Sequence, residues 1–415
     1  MKELYQIAAD ACKAVIEKRQ NGLLDNYDQL FRDLGNQTYN KETMLEYGWY
    51  GENATDVRTG YVNGIPTSGN DNSEGGMGKG GSQMMAYPTL FFDYDKDDQR
   101  RDVSVCNYGI VLSAKGNKYQ MNTYNGMGVG KYRINWKKEM GATNSKRNIN
   151  FPLLRYADVL LMYAEALNEV NNGPTQQAIN AVKEVRKRAF RGNEAKAAAG
   201  IPTNHDDFLT FIQKERKLEL SNEGLRRTDL TRWGKQYEML MAEKQRLVNL
   251  AKRDGEFANV PVYRAYYLST TPKFEDPTIA LSYIDLSQAD VEALGLSADQ
   301  IKTLKILNSS SKGSLKDVKL YEKDGKLYSA VNKPEGAVEH SYTILNMFSI
   351  VSIKQKGNLC VEDVTGVSSN NAWITGNSGV FYGLQKNMTE LMPFNTSKIL
   401  DVNAGLEGQQ HPAYK

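Results

Sequence analysis

The sequence is poor in the residues that build metal centres and disulfide frameworks. Its 415 residues include only three histidines and three cysteines, which are Cys12, Cys106 and Cys360. An odd and widely scattered set of cysteines fits neither a disulfide framework nor a zinc motif. The histidines are too dispersed along the chain for a linear metal site. We therefore expect neither a metal ion nor a cofactor.

The chain also lacks an excess of one charge and a long apolar run. Its 52 basic and 49 acidic side chains leave a net charge of +3. This balance gives no basic footprint, so we expect no nucleic-acid partner. No apolar run is long enough to span a bilayer as a helix.

The stretch 150–190 is the most informative part of what is present, because it predicts two amphipathic helices. Apolar residues spaced three and four apart mark two stripes on the first helix: Leu153, Tyr156, Leu160, Tyr163 and Leu167, and beside them Leu154, Ala157, Leu161 and Ala164. The second helix has a similar stripe of Ala178, Val182, Val185 and Ala189. Gly173 can end the first helix and Pro174 can open the second. The pair has the size of a tetratricopeptide unit, which packs against further helix pairs.

The sequences of this stretch and of three others resemble the signature motifs of the SusD/RagB family of outer-membrane nutrient-binding lipoproteins. The first block is LLRYADVLLMYAEALNE (153–169) followed by AINAVKEVRKRA (178–189). The others are YPTLFFDYDKDDQRRDVSV (87–105), FIQKERKLELSNEGLRRTDLTRWG (211–234) and LMPFNTSKILDVNAGLEGQQHPAY (391–414). The last of these blocks departs from the family motif at Pro393-Phe394 and from Gln409 to Tyr414.

The resemblance implies a mainly α fold, in which a tetratricopeptide-like scaffold carries long irregular loops and a small α+β insertion. We expect one SusD-like domain that lacks its amino-terminal part. Its predicted regions are a helical pair (1–45), a loop-rich variable region (46–149), the helical signature region (150–250), a variable insertion (251–390) and the carboxy-terminal family segment (391–415). Within the insertion, 286–304 predicts helix and 318–331 predicts a hairpin through Asp324-Gly325.

The first residues predict a helix rather than a secretory leader. Its apolar stripe is formed by Leu4, Ile7, Ala8, Ala11 and Val15. Cys12 lies inside this helix, whereas a lipid-anchoring cysteine follows a secretory segment. The resemblance implies that the family's leader and lipid anchor precede Met1, so we expect an amino-terminally incomplete chain. The full-length protein is then expected at the cell surface, held to the outer membrane by its lipid anchor.

Between the helical regions the sequence favours short elements and loops. A second short helix is predicted from Tyr27, Leu30, Phe31 and Leu34, and a short extended element within 40–50. Residues 60–82 are rich in glycine, asparagine and serine, which predicts a long mobile loop. Residues 107–149 predict irregular structure with small hairpins, including a turn at Asn125-Gly126.

Three glutamates, Glu215, Glu219 and Glu223, lie four residues apart and could share one helical face. Glycosidases need two carboxyl groups on opposite sides of the scissile bond, which one helical face does not provide. We therefore predict no catalytic residues and interpret the glutamates as part of a structural ion network. We expect its counter-charges among Arg216, Arg226, Arg227 and Arg232, in a network that includes Asp229. Arg155 and Asp158 are expected to form a separate pair.

Two further patterns have both functional and structural interpretations. Gly76, Gly78 and Gly81 match a dinucleotide fingerprint, but without a preceding strand we interpret them as a flexible loop. The carboxylates of Asp93, Asp95 and Asp97 are spaced as in a calcium loop. That loop's required glycine and final glutamate are Asp98 and Ser104 here, so an acidic turn paired with Arg100-Arg101 is favoured over calcium.

Four aromatic residues in irregular segments are the candidate ligand contacts: Trp49, Tyr50, Trp136 and Trp373. A flat aromatic face can lie against the C–H face of a sugar ring, while an indole N–H or phenol O–H donates a hydrogen bond. Packing beneath a loop remains the alternative for each of them. Trp233 ends a signature helix and is expected in the core.

The resemblance implies a non-enzymatic receptor that captures an oligosaccharide or polysaccharide at the cell surface. The receptor would deliver this cargo to a SusC-type TonB-dependent barrel transporter. Three alternatives stay open on the sequence: a tetratricopeptide-type protein adaptor, a glycoside hydrolase, and a SusD-like binder of non-glycan cargo such as peptides.

Overall fold

The structure is a computed structural model that describes residues 2–48, 64–71, 78–79, 81, 84–137, 149–268, 281–305, 313–348 and 384–386. The chain divides into two compact units. Unit one comprises Met1–Gly224, Arg264–Ile284 and Lys316–Ile344. Unit two comprises Leu225–Tyr263, Asp285–Leu315 and Leu345–Lys415.

Helices dominate the part of the chain that the structure describes. In chain order they are α1 (Lys2–Lys18), α2 (Tyr27–Gly35), α3 (Pro88–Asp93), α4 (Arg100–Ser104), α5 (Tyr156–Asn171), α6 (Gln176–Ala189), α7 (Glu194–Ala198), α8 (His205–Glu219), α9 (Arg226–Arg232), α10 (Gln236–Lys252), α11 (Gln288–Ala293) and α12 (Ala298–Lys305). None of these described helices is long and apolar enough to cross a membrane.

The described strands form small sheets. They are β1 (Thr43–Tyr47), β2 (Thr67–Asp71), β3 (Gly78–Lys79), β4 (Val105–Cys106), β5 (Tyr108–Ser113), β6 (Lys118–Met121), β7 (Gly128–Val129), β8 (Phe151–Arg155), β9 (Tyr263–Leu268), β10 (Leu281–Leu286), β11 (Ser314–Lys323), β12 (Lys326–Tyr328) and β13 (Val338–Asn346). The strand orders are β1-β8, β3-β2-β5-β6, β4-β7 and β10-β9-β13-β11-β12. The fold is thus mainly helical with an α+β insertion, as predicted.

The core of the helical part of unit one surrounds α5, which packs against α1, α6 and α8. The predicted alanine-bearing stripe is confirmed, because Ala157, Leu161 and Ala164 are fully buried. The stripe of α6 is confirmed too, with Val182 and Val185 fully buried in the same cluster. Small side chains let neighbouring helix axes approach closely, so α5 can be covered on several sides.

The α5–α6 junction lies where predicted, but other residues form it. Asn172 adopts the left-handed conformation, with φ of 51°, and caps the end of α5. Thr175 begins α6, and its side-chain oxygen accepts a hydrogen bond from the Ala178 N–H at 3.2 Å. Asparagine tolerates the left-handed region and threonine is a good N-cap, so both positions suit their residues. Gly173 and Pro174 lie between the two caps.

The start of the first helix was predicted too early. Residues 151–155 form β8, which pairs antiparallel with β1, and Leu153 is 46% exposed. Helix α5 begins only at Tyr156. The spacing from Leu153 to Tyr156 imitates a helical stripe, but pairing with a distant strand satisfies this backbone instead.

Most of the stripe predicted on α1 faces solvent instead of the core, although Val15 packs against the core cluster. Leu4 and Ile7 are 67% and 65% exposed, whereas Ala9 and Cys12 are buried. The buried face carries small side chains, which suits the close packing of α1 on α5. The helix itself was predicted correctly, but its orientation was wrong by part of a turn.

Part of the predicted loop 60–82 is a sheet edge. Strand β2 pairs in parallel with β5 and antiparallel with β3. Gly69 has φ of 80°, and a Cβ there would lie 2.4 Å from the Leu112 carbonyl oxygen, so only glycine fits. Asn125-Gly126 lies in a 3₁₀ turn (Tyr124–Gly126) rather than in a hairpin.

The two elements predicted in the insertion are both present. The hairpin β11–β12 turns at Asp324 and Gly325, whose φ values of 52° and 71° suit a tight two-residue turn. The predicted helix 286–304 is divided into α11 and α12, and Gly295 between them has φ of 69°. Helix α11 begins with a capping box between Ser287 and Asp290.

Candidate functional site

A buried ionic network is the main polar feature of unit one. Each of its members is at least 90% buried and comes from one of several separate chain segments. They are Glu42, Asp98, Arg100, Lys131, Arg155, Arg188, Glu215, Glu219 and Glu223. With the partly buried Arg186, which contacts Glu215, the formal charges balance at five cations and five anions.

Glu219, at the end of α8, is the centre of this network. Its carboxylate contacts the guanidinium groups of Arg100, Arg155 and Arg188. Arg155 continues to Glu42 at 2.9 Å, and Arg188 reaches the same carboxylate at 3.0 Å. The ends of β8 and α6, the start of β1 and the end of α8 are therefore joined by charge-assisted hydrogen bonds.

The backbone carbonyl of Glu219 is held as firmly as its side chain. It accepts hydrogen bonds from the Tyr27 hydroxyl at 2.5 Å, the Arg155 guanidinium at 2.7 Å and the Lys131 ammonium at 3.0 Å. Carbonyls in the last turn of a helix lack helical partners, and cations there also complement the helix dipole. These donors thereby complete the end of α8.

The electrostatics of the network keep the carboxylates of Glu219 and Glu223 ionised. Burial alone would raise the pKa of Glu219, but Arg188, Arg155 and Arg100 together hold it far below its usual value. The pKa of Glu223 is also lowered, since Arg155 and Lys131 outweigh the effect of burial. Burial is the main reason that the pKa of Lys131 falls to about 8, and repulsion by Arg155 lowers it further. These two effects outweigh the attraction of Glu223, which lies 2.5 Å away.

Aromatic rings surround the cations of the network. The Tyr27 ring centroid lies 4.8 Å from the Arg188 guanidinium and 5.3 Å from the Lys131 ammonium. Lys131 is also 4.9 Å from the Phe31 ring. A cation over an aromatic face is attracted by the ring quadrupole, which helps to offset the loss of water around Lys131.

The structural interpretation of the three glutamates agrees with this arrangement, and the predicted pairing of Arg232 with Asp229 is present. The cations that contact the glutamates, however, differ from the predicted ones. Glu223 lies beyond the end of α8, so the three carboxylates do not share one helical face. Their cations come from distant segments instead. Arg216 pairs with Asp158 at 2.6 Å, and Arg232 pairs with Asp229 at 3.0 Å.

Sequence reasoning missed Glu42 and Lys131 altogether and expected Arg155 to pair with Asp158. Glu42 is 113 residues from Arg155 along the chain, and Lys131 is 92 residues from Glu223. No local spacing connects such pairs.

The acidic turn at 93–98 is paired, but mainly with lysines. Asp95 contacts Lys196 at 3.1 Å, and Asp97 contacts the same ammonium group. Asp98 binds Arg100 as predicted, with the closest ion-pair distance at 2.7 Å. Across the described ranges, no group of three or more potential ligands is arranged to hold a metal ion.

Trp136 packs in the interior. It is 6% exposed and belongs to a cluster with Tyr27 and Phe31. The guanidinium carbons of Arg32 and Arg133 lie 4.4 Å and 4.6 Å from its ring centroid. The ring is covered by protein, so the structure favours the packing alternative for Trp136 over sugar stacking.

The other three candidate contacts, Trp49, Tyr50 and Trp373, lie outside the described residues. The strand that leads towards the first two is described, however. On β1, Leu45 is 56% exposed and Tyr47 is 54% exposed. The final described residues before Trp49 therefore present apolar and aromatic surface to solvent.

Trp233 is only partly buried, at the end of α9, rather than in the core. The guanidinium carbons of Arg232 and Arg226 lie 4.5 Å and 5.8 Å from its ring centroid. Two cations beside the ring stabilise it at this position. The expectation of a core residue was thus correct only in part.

Comparison with known proteins gives a consistent assignment. The SusD family model matches residues 40–293. The SusD-like protein P25 of Formosa agariphila is 27% identical over 264 residues, which cover 55% of this chain and 46% of that protein. The SusD-like protein P2 of the same organism is 30% identical over 162 residues, or 37% of this chain and 32% of that protein.

A solved structure agrees with these matches. The crystal structure of a SusD homologue from Bacteroides thetaiotaomicron shares 29% identity with this chain at a TM-score of 0.54. The likeness covers 59% of this chain and 51% of that protein. The chain spans about half or less of the length of the relatives that it matches. Since the family model accounts for more than half of the residues, the chain belongs to the SusD family.

Proposed function

We propose that the protein is a non-enzymatic surface glycan-binding protein. It captures an oligosaccharide or polysaccharide and delivers it to a SusC-type TonB-dependent transporter in the outer membrane. The observation that carries this proposal is membership of the SusD family. It is supported by the buried charged groups, which hold chain segments together. In the full-length protein a lipid anchor holds the domain at the cell surface.

The buried network supports a binding role over a hydrolytic one. Glycoside hydrolysis needs a carboxylic acid and a carboxylate that face each other across the substrate. Glu215, Glu219 and Glu223 are each at least 97% buried and each contact a cation. These carboxylates therefore hold chain segments in place and are not placed to act on a sugar.

The ligand contacts are proposed at Trp49, Tyr50 and Trp373. Two of these residues follow β1, whose Tyr47 side chain is half exposed. Strand β1 pairs with β8, and the network fixes the Arg155 end of β8. A rigid strand that leads into an aromatic segment suits a binding site, because loops on a firm scaffold commonly carry function.

The transporter is proposed to dock on the helical scaffold of unit one. Helix packing makes that surface rigid, and stable assemblies bury large rigid surfaces. Copurification of the full-length protein with a barrel transporter from outer membranes tests this step. A full-length protein that is recovered alone, or in the soluble fraction, contradicts it.

Affinity gel electrophoresis in polysaccharide-containing gels tests the binding role. We expect a Trp49→Ala/Tyr50→Ala/Trp373→Ala variant to lose most of the retardation that the wild type shows. Tyr39→Ala is the matched control, since Tyr39 is an 84% exposed aromatic residue that is not among the proposed contacts. Equal mobility of the triple variant and the wild type would discard the three contacts. Release of reducing sugar by the purified protein would discard the non-enzymatic role.

A further inference from the structure

An open cleft in unit one is lined by residues other than the aromatic candidates. Its volume is about 590 Å³, which is in the usual range for small-molecule sites. One wall is the connection between α1 and α2, from Gly22 to Asn26, together with Lys41. The other wall is the end of α6 and the following turn, from Glu184 to Gly192.

Both walls are fixed to the same buried carboxylate. The Leu24 N–H donates to one Glu42 oxygen at 2.9 Å, and the Arg188 guanidinium donates to that oxygen at 3.0 Å. Glu42 is itself held by Arg155. The cleft is therefore preorganised, and a ligand loses less free energy to the ordering of a preformed site.

The cleft contains polar side chains of both signs that do not pair with each other. Asp25, Lys41, Glu184 and Arg191 all line it and are all exposed. Among the described residues, their side chains form no hydrogen bond and no ion pair. Lys187 and Arg188 also line the cleft, but Lys187 pairs with Glu194, and Arg188 pairs with Glu42 and Glu219. The formal charges of the other four residues cancel. A strongly charged ligand would gain little from this balance.

The lining suits a ligand that both donates and accepts hydrogen bonds. Lys41 and Arg191 are donors, Asp25 and Glu184 are acceptors, and the Asn26 amide is both. Sugar hydroxyl groups have this double character. Leu23 and Leu24 add apolar surface on the same wall for the C–H groups of a sugar ring.

We propose that this cleft is a second binding site, which takes a short neutral oligosaccharide. The ligand class rests on the glycan-binding function proposed above, whereas the place and the contacts come from the cleft itself. Its lining includes none of Trp49, Tyr50 and Trp373, so substitutions at those positions leave every lining residue of the cleft unchanged.

Isothermal titration calorimetry tests this site with maltotriose, cellotriose, xylotriose and laminaritriose, each titrated separately. The background is the Trp49→Ala/Tyr50→Ala/Trp373→Ala variant, which leaves the cleft intact. We expect this variant to bind one of the four sugars, and added Lys41→Ala/Glu184→Ala to weaken that binding at least tenfold. Lys13→Ala/Glu17→Ala, which removes an exposed ion pair on α1, is the matched control and should leave affinity unchanged.

The failures of the two proposals are distinguishable. If the cleft changes leave trisaccharide affinity unaltered while the wild type is retarded in polysaccharide gels, only the cleft proposal is overturned. If the wild type binds no trisaccharide and no polysaccharide, both proposals are overturned. A crystal structure with the bound trisaccharide gives a readout that does not depend on the stability of the variants. Electron density for the sugar that is found only outside the cleft would also reject the site.

Discussion

Individual buried charged residues connect chain segments in the interior of unit one. Arg155 shows this most clearly, since its guanidinium contacts three carboxylates. It is 1% exposed, and so its partners have no access to compensating water. Replacing a whole buried ion pair by hydrophobic residues is often neutral or stabilising, but the loss of one partner leaves a costly buried charge.

We expect Arg155→Met to lower the free energy of unfolding by about 3–5 kcal/mol, the range for breaking a buried pair. The change leaves Glu42, Glu219 and Glu223 without their shared cation. Urea titration followed by circular dichroism measures the loss. Lys13→Met removes the same charge from an exposed pair on α1 and should cost about 0–1 kcal/mol. A loss below about 1 kcal/mol in Arg155→Met contradicts the assigned role.

At the residue scale, apolar burial was predictable where the periodicity was regular. Leu160, Ala164 and Val182 were placed correctly by their spacing alone. The partners of the glutamates were not, because contact across about a hundred residues leaves no local pattern. Trp136 shows a related limit, since a tryptophan in an irregular segment can pack inward or face a ligand.

At the scale of elements, the junction between α5 and α6 depends on two residues that stop one helix and start the next. Helix caps satisfy backbone groups that have no helical partner. Thr175 supplies such a partner to the Ala178 N–H. The short connection then holds the two helices as antiparallel neighbours around the core of unit one.

Thr175→Ala should lower the free energy of unfolding by about 0.5–2 kcal/mol, because the N-cap hydrogen bond is lost. Thr175→Ser keeps the hydroxyl and is the matched control, with little expected change. Urea titration of the two variants separates the cap from the loss of the methyl group. Equal destabilisation by both substitutions would show that the hydroxyl is not responsible.

The boundaries of elements were less predictable than their type. Residues 151–155 continue the helical spacing of α5, yet they pair with β1, which lies more than 100 residues earlier. Helix α1 was predicted as a helix, but which of its faces is buried depends on the small residues that α5 accepts. Both differences arise from tertiary packing, which the local pattern does not contain.

At the scale of the molecule, the buried network makes the free energy of unfolding depend on pH. The folded pKa values of Glu219 and Glu223 lie below their unfolded values. At neutral pH both carboxylates therefore stabilise the fold. As the pH falls below about 4.3, the unfolded chain takes up protons first and this stabilisation is lost.

We expect the free energy of unfolding to fall steadily between about pH 5 and pH 3, measured by urea titration at each pH. Glu219→Gln should be less stable at neutral pH and show a shallower fall, because one of the titrating groups is gone. Parallel curves for Glu219→Gln and the wild type would contradict the role of Glu219.

The family and the fold class could be predicted from the sequence, because four ordered motifs span it from Tyr87 to Tyr414. The ligand site could not be predicted to the same degree. Its candidates stand in irregular segments, where neither spacing nor composition fixes the direction of a side chain. Trp49, Tyr50 and Trp373 therefore remain predictions, whereas Trp136 is a packing residue in the structure.

The network also determines how the intervening stretches can vary. Glu42, Arg100, Arg155 and Glu219 flank the segments that run between them, so the ends of each segment stay in place whatever its length. Closing a longer loop between fixed ends costs only about 0.6 kcal/mol for each doubling of its length. Insertions, deletions and exchanges of whole loops are thus compatible with one unchanged frame.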